Sequence, residues 1–110
     1  MNNQVTIDFA CKARDKGIQK AVDHADRVHK EWSEKAYEFL RIFLRHNRNG
    51  FMVEDVRNAS KGVVPEPPSK RAWGWVIKRA AASGLVRKIG IQSVKNVNAH
   101  RANAAVWKRV

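Results

Sequence analysis

Apolar positions recur along the first third of the chain at spacings of three and four. Ile18, Ala21, Val22, Ala25, Val28 and Trp32 fall on one stripe of a helix predicted over about residues 8–31, with Lys16, Lys20, Asp23, Arg27 and Lys30 on the opposite face. The stripe is narrow and rich in alanine, which suits packing against another helix in the same chain or in a second copy. Gly17 costs such a helix about 1 kcal/mol relative to Ala, so the firmly ordered part is expected to begin there. A lone helical arm of this length is marginal in water and needs a surface to lie on.

The pattern then widens. Ser33 is placed to cap a helix over about 34–47, with Glu34 in its first turn. Ala36, Tyr37, Phe39, Leu40, Phe43 and Leu44 give that helix a broad buried face, and Arg45, His46, Asn49 and Gly50 close it. Phe51-Met52-Val53 reads as a minimal strand. Glu54 and Asp55 open a short helix over about 54–60 with Val56 and Ala59 inward, and no Ser or Thr precedes it as a cap. Pro65, Pro67 and Pro68 make the next stretch a loop.

Ser69 is expected to cap a third core helix over about 70–83, ended by Gly84. At 100° per residue, Trp73, Val76, Ile77 and Ala80 share its inner side, while Arg71, Gly74, Trp75, Lys78 and Ala82 share the outer. Strands follow at 85–91 and 104–110, joined by a polar, asparagine-rich loop over 92–103. The predicted class is therefore α+β, mainly α with a small β-hairpin: a helical arm over 1–32 and a domain over 33–110.

Charge changes the picture from fold to partner. The 22 Lys+Arg outnumber the 10 Asp+Glu for a net of +12. Residues 1–66 hold 12 of the bases and all 10 acids, whereas residues 67–110 hold 10 bases and no acid. A surface built from that second segment has a polyanion as its natural partner. Solubility alone does not account for 44 residues without a carboxylate.

Other classes recede. His24, His29, His46 and His100 show no paired metal spacing, and the basic segment has no carboxylate to hold Mg²⁺ or act as a base. Asp8, Asp15, Asp23, Asp26, Glu54 and Asp55 read as surface or first-turn acids of helices, so no enzyme, metal or cofactor is expected. Cys11 is the sole cysteine, and it can make neither an internal disulfide nor a structural zinc site alone. The polar start MNNQVT lacks the apolar stretch of a signal peptide, and no apolar run nears the roughly 20 residues of a membrane span. A cytoplasmic protein without a membrane partner is expected.

The order helix, short strand, helix, turn, helix, strand, basic loop, strand is that of winged helix-turn-helix domains. The stretches DKGIQKAVDHAD, EWSEKAYEFL, FMVEDVR, PEPPSKRAWGWVIKRAAASGLVRKIG and AVWKRV resemble small winged-helix proteins encoded in the replication and recombination regions of temperate bacteriophages and prophages. The likeness covers nearly the whole chain, arm included. It implies a bacterial cytoplasm and a DNA-handling context, and no particular activity. Val53, where such proteins could carry a polar helix cap, departs from the pattern.

On this reading the helix over 70–83 is the recognition helix and the loop over 92–103 the wing. Arg71 and Lys78 lie about 20° apart around the helix axis and would enter the major groove, Gly74 letting the backbone approach the duplex. Lys95, Asn96 and Arg101, with Asn98, His100 and Asn103, would contact phosphate or the minor groove. Arg79, Arg87, Lys88 and Lys108 would flank the DNA backbone, and Ser69 with Lys70 would form a phosphate site at the helix start. The expected partner is double-stranded DNA, with structured RNA open on the same charges.

Ile18, Val22, Ala25, Val28 and Trp75 are the candidate contacts for docking the arm or for a homodimer through it. The alternative is a winged-helix interaction module that binds or inhibits a host DNA-metabolism protein through Trp75 and the arm's stripe.

Overall fold

The computed structural model describes the backbone of residues 3–93 and 103–110, and the side chains of residues 15–92 and 104–110. In chain order its elements are α1 (Asn3–Val28), α2 (Trp32–His46), α3 (Val53–Ala59), α4 (Ala72–Ala82), β1 (Val86–Ser93) and β2 (Asn103–Arg109). The class is α+β, four helices with one antiparallel two-stranded hairpin.

The first helix is longer at its start than the stripe predicts and runs through Gly17 without a break. It ends three residues early. The chain reverses through Glu31, whose φ of 58° is left-handed, and Trp32 already belongs to α2. Ser33 is therefore not the N-cap. It sits inside the first turn, where its amide donates to Asp26 Oδ1 (2.8 Å) and its hydroxyl to Asp26 Oδ2 (3.0 Å). The orphan donors of α2 are served by a carboxylate from the end of α1, which the tight reversal brings within reach.

Trp32, Ala36, Leu40 and Leu44 are the buried row of α2, and Tyr37, Phe39 and Phe43 pack at its flanks. The expected strand at 51–53 shrinks to one residue. Phe51 exchanges both backbone hydrogen bonds with Trp107 of β2 (2.8 and 2.7 Å), while Val53 has already turned into α3. Asp55 Oδ2 accepts from the Met52 amide at 2.9 Å, so the N3 carboxylate supplies the backward half of a capping box although no Ser or Thr supplies the forward half.

A tightened turn leads into α4: the amides of Ala72, Trp73 and Gly74 donate to the carbonyls of Ser69, Lys70 and Arg71. The Ser69 hydroxyl accepts from Arg71 N at 3.3 Å, capping this lead-in rather than the helix proper. At the far end Leu85 N donates to Ala80 O (2.9 Å) and Gly84 N to Ala81 O (3.1 Å). This is the double bond pattern that closes a helix through a left-handed residue, and Gly84 takes that position at φ 76°.

In the hairpin Val86 pairs with Arg109, Arg87 with Lys108 and Lys88 with Trp107; the register then shifts past Ile89, so that Gly90 meets Val106 and Ser93 meets Asn103. The strand residues flanking the turn thus reach Ser93 and Asn103, beyond the predicted 91 and 104. One core joins all the helices to β1: Ala21, Val22 and Ala25 of α1 belong to the same buried cluster as Trp32, Leu40, Val56, Trp73, Val76, Ile77, Ala80 and Val86. The rings of Trp32 and Trp73 meet edge to face at 5.3 Å, and Trp32 Nε1 donates to Pro65 O at 2.7 Å, tying the loop after α3 to the start of α2. Among the described residues no helix is long and apolar enough to cross a membrane.

Candidate nucleic-acid interface

The inner side of α4 is as its periodicity requires: Ala72, Trp73, Val76, Ile77 and Ala80 are buried. The outer side is only partly open: Arg71, Lys78 and Ala82 are exposed, while Gly74 and Trp75 are half-buried. α1 lies along it and touches the candidate groove readers themselves. Asp15 Oδ1 accepts from Lys78 Nζ at 2.5 Å, with both side chains about half exposed. A Cβ on Gly74 would stand 3.4 Å from Ile18 Cδ1, and a Cβ on Gly17 would stand 3.4 Å from Arg71 Nη1. Ile18 therefore lies over Gly74 at ordinary contact distance, on the face expected to approach a duplex.

Arg79 also departs from its expected role. Its guanidinium lies over the Tyr37 ring at 4.0 Å, within 5.8 Å of Trp75, and donates to Glu34 Oε1 at 2.9 Å. It clamps α4 to α2 by a cation–π contact and an ion pair. Trp75 is half-buried beside it and packed on the core, so it is not the exposed knob that the protein-interaction alternative requires. Val22 and Ala25 are 1% and 0% exposed within the chain, which closes them to a second copy. Val28 leaves the stripe and is 52% exposed, because α1 ends there and its last residue clears α2.

Of the candidate cations with described side chains, those exposed are Lys70 and Arg71 at the start of α4, Lys78 on its outer side, and Arg87, Lys88 and Lys108 on the hairpin. Arg87 and Lys108 sit directly opposite one another. Like charges in that cross-strand position repel, an arrangement that an anion laid across both would relieve. Two adjoining hollows of about 550 and 540 Å³ share Ile18, Val53 and Gly74. The first is bordered by Lys70 and Arg71, the second by Lys78 and Lys88, with Glu54 also on its wall. Their floor is apolar, including Ile77, Ala81 and Trp107. Lys95, Asn96 and Arg101, with the rest of the wing tip, lie outside the described residues.

Sequence reasoning missed Asp15 as a partner of α4. Helical spacing gives it only as a surface acid of α1, and no spacing rule links positions 63 residues apart. Among the described residues no three His, Cys, Asp or Glu side chains gather in a cluster that could hold a metal. Comparison with protein-family models, with curated proteins and with solved structures gives no match for this chain.

Proposed function

We propose that this protein binds duplex DNA through α4 and the hairpin, as a winged helix-turn-helix domain extended by α1. The fold half of the reading is supported by Phe51: a one-residue strand between α2 and α3 that pairs with β2 is the place of the first strand in that topology. The functional half is carried by one observation. Lys70, Arg71, Lys78 and Lys88 border two joined hollows between α4, α3 and the hairpin, in a segment with no acid at all from residue 67 onward.

Phosphate neutralisation supplies most of the affinity in such a scheme, and Arg87, Lys88 and Lys108 are the phosphate contacts. Base reading falls to Arg71, whose planar fork suits the guanine edge, with Lys78 as a point charge. An accessory role in phage replication, recombination or transcription control, in a bacterial cytoplasm, fits the resemblance of the sequence.

Fluorescence anisotropy of a labelled 25-base-pair duplex across several salt concentrations tests this. Neutralising about five phosphates gives a log–log slope of about −4 to −5. Removing Arg87, Lys88 and Lys108 together should flatten the slope by about 2 to 3 and weaken binding at least tenfold. The control removes the same charge from elsewhere, as Arg41→Ala/Arg45→Ala/Arg48→Ala. Equal losses from both triples would reduce the protein to a polycation, and no binding at low salt would end the reading.

A further inference from the structure

We infer that the stretch of α1 from Asp15 to Ile18 is a built-in competitor for the DNA surface, with the Asp15 carboxylate occupying on Lys78 the place that a phosphate takes in the complex. The inference rests on the DNA-binding reading and concerns the regulation of that same surface.

Three observations converge. The first is position: residues 15–18 reach Lys78, Gly74 and Arg71 in turn, and these are the residues of α4 that would face a groove. The second is chemistry. A carboxylate on an ammonium is the same charge-assisted contact that a phosphate oxygen makes, so the arm's carboxylate and a phosphate compete for Lys78, by charge repulsion as well as by place.

The third is how lightly the stretch is held. Asp15 and Lys78 form a half-exposed surface pair, a class of contact that contributes little net stability. Gly17, a weak helix former, lies between Asp15 and the point where Ala21 and Val22 enter the core. Freeing residues 15–18 therefore means releasing α1 from its start at Asn3 as far as Ile18, a partial opening that leaves Ala21, Val22 and Ala25 in the core. Glu54, which belongs to α3 and not to α1, is a further acid on the wall of the same hollow.

The experiment measures duplex affinity for the full chain and for Asp15→Asn, Asp23→Asn, Lys78→Ala and the Asp15→Asn/Lys78→Ala pair. Asp23→Asn is the charge control: it lies on α1 and is exposed, with Gln19 as its hydrogen-bond partner. Asp15→Asn should bind about five- to tenfold tighter, a modest coupling between two competing contacts. Asp23→Asn should gain less than about twofold from its charge alone. The Asp15→Asn gain should vanish when Lys78 is already Ala. In hydrogen exchange, duplex should speed the amides of residues 15–18 while those of 22–26 stay protected.

Equal effects of Asp15→Asn and Asp23→Asn, or a gain that survives in Lys78→Ala, would overturn the competitor and leave DNA binding standing. Loss of duplex binding in every variant and in the parent would overturn both.

Discussion

Two stretches of α1, residues 15–18 and 21–26, belong to one continuous helix and are held by different physics. From Ala21 to Asp26 its side chains enter the core of the whole chain: Val22 and Ala25 are sealed, and Asp26 caps α2 through two hydrogen bonds to Ser33. From Asp15 to Ile18 the same helix lies on α4 with contacts that include a half-exposed ion pair and an isoleucine set against a glycine. Burial fixes residues 21–26 and leaves residues 15–18 adjustable. An arm can thus be an integral part of a fold at one end and a replaceable cover at the other.

Val22→Asp should break the comparison outright. It places a carboxylate at a site 1% exposed, so the expected cost exceeds about 3 kcal/mol and the domain melts or fails to fold. Circular dichroism on heating reads this directly. Retention of a parent-like melt would mean that α1 is not part of the core. Asp26→Ala comes next, at about 2 kcal/mol, since it removes the cap of α2 and strands the buried Ser33 hydroxyl. Urea unfolding should show the midpoint falling with the slope unchanged. Asp26→Asn should recover part of the loss, because its side-chain oxygen still accepts from the Ser33 amide.

How far the sequence revealed this arrangement depends on whether a residue's role is local. The buried rows of α2 and α4 were legible because helical spacing alone selects Leu40, Leu44, Trp73, Val76, Ile77 and Ala80. Gly84 was legible as a stop, since a helix ending in a left-handed turn asks for glycine in any fold. Gly74 was not, because a gap in a helix face says that something approaches and not what does.

Asp26 and Arg79 were misread for the same reason. Their partners Ser33, Glu34 and Tyr37 are selected by how α1 and α4 pack on α2, and no periodicity within either helix contains that information. Charge segregation along the chain picks out α4 and the hairpin as basic, yet it cannot register that acids from the other part of the chain, Asp15 on Lys78 and Glu34 on Arg79, are delivered onto α4.

Ile18→Ala sharpens the contrast from the weaker side. Ile18 is half-buried against Gly74, so truncation should cost about 1 kcal/mol, less than full burial of its methyl groups would give. In hydrogen exchange its effect should be local, loosening amides near residues 15–18 while those of 22–26 keep the protection of the global unfolding. If Ile18→Ala instead lowered protection across both stretches equally, the two would be one cooperative unit.

The smallest expected effect is the most discriminating. Asp15→Asn should change the thermal stability by no more than about 0.5 kcal/mol, because the pair it removes is exposed on both sides and its Coulomb gain is largely offset by side-chain ordering. Whatever difference exists should shrink further as salt is raised, since screening at about 10 Å in 0.1 M salt acts fully on exposed charges. A loss of 2 kcal/mol or more would place Asp15 among the residues that build the fold, beside Asp26, and a helix end that strongly held could not yield its place on Lys78 to a phosphate. Stability that hardly moves, together with duplex affinity that rises, is the combination in which the stretch over residues 15–18 covers α4 without being needed to make it.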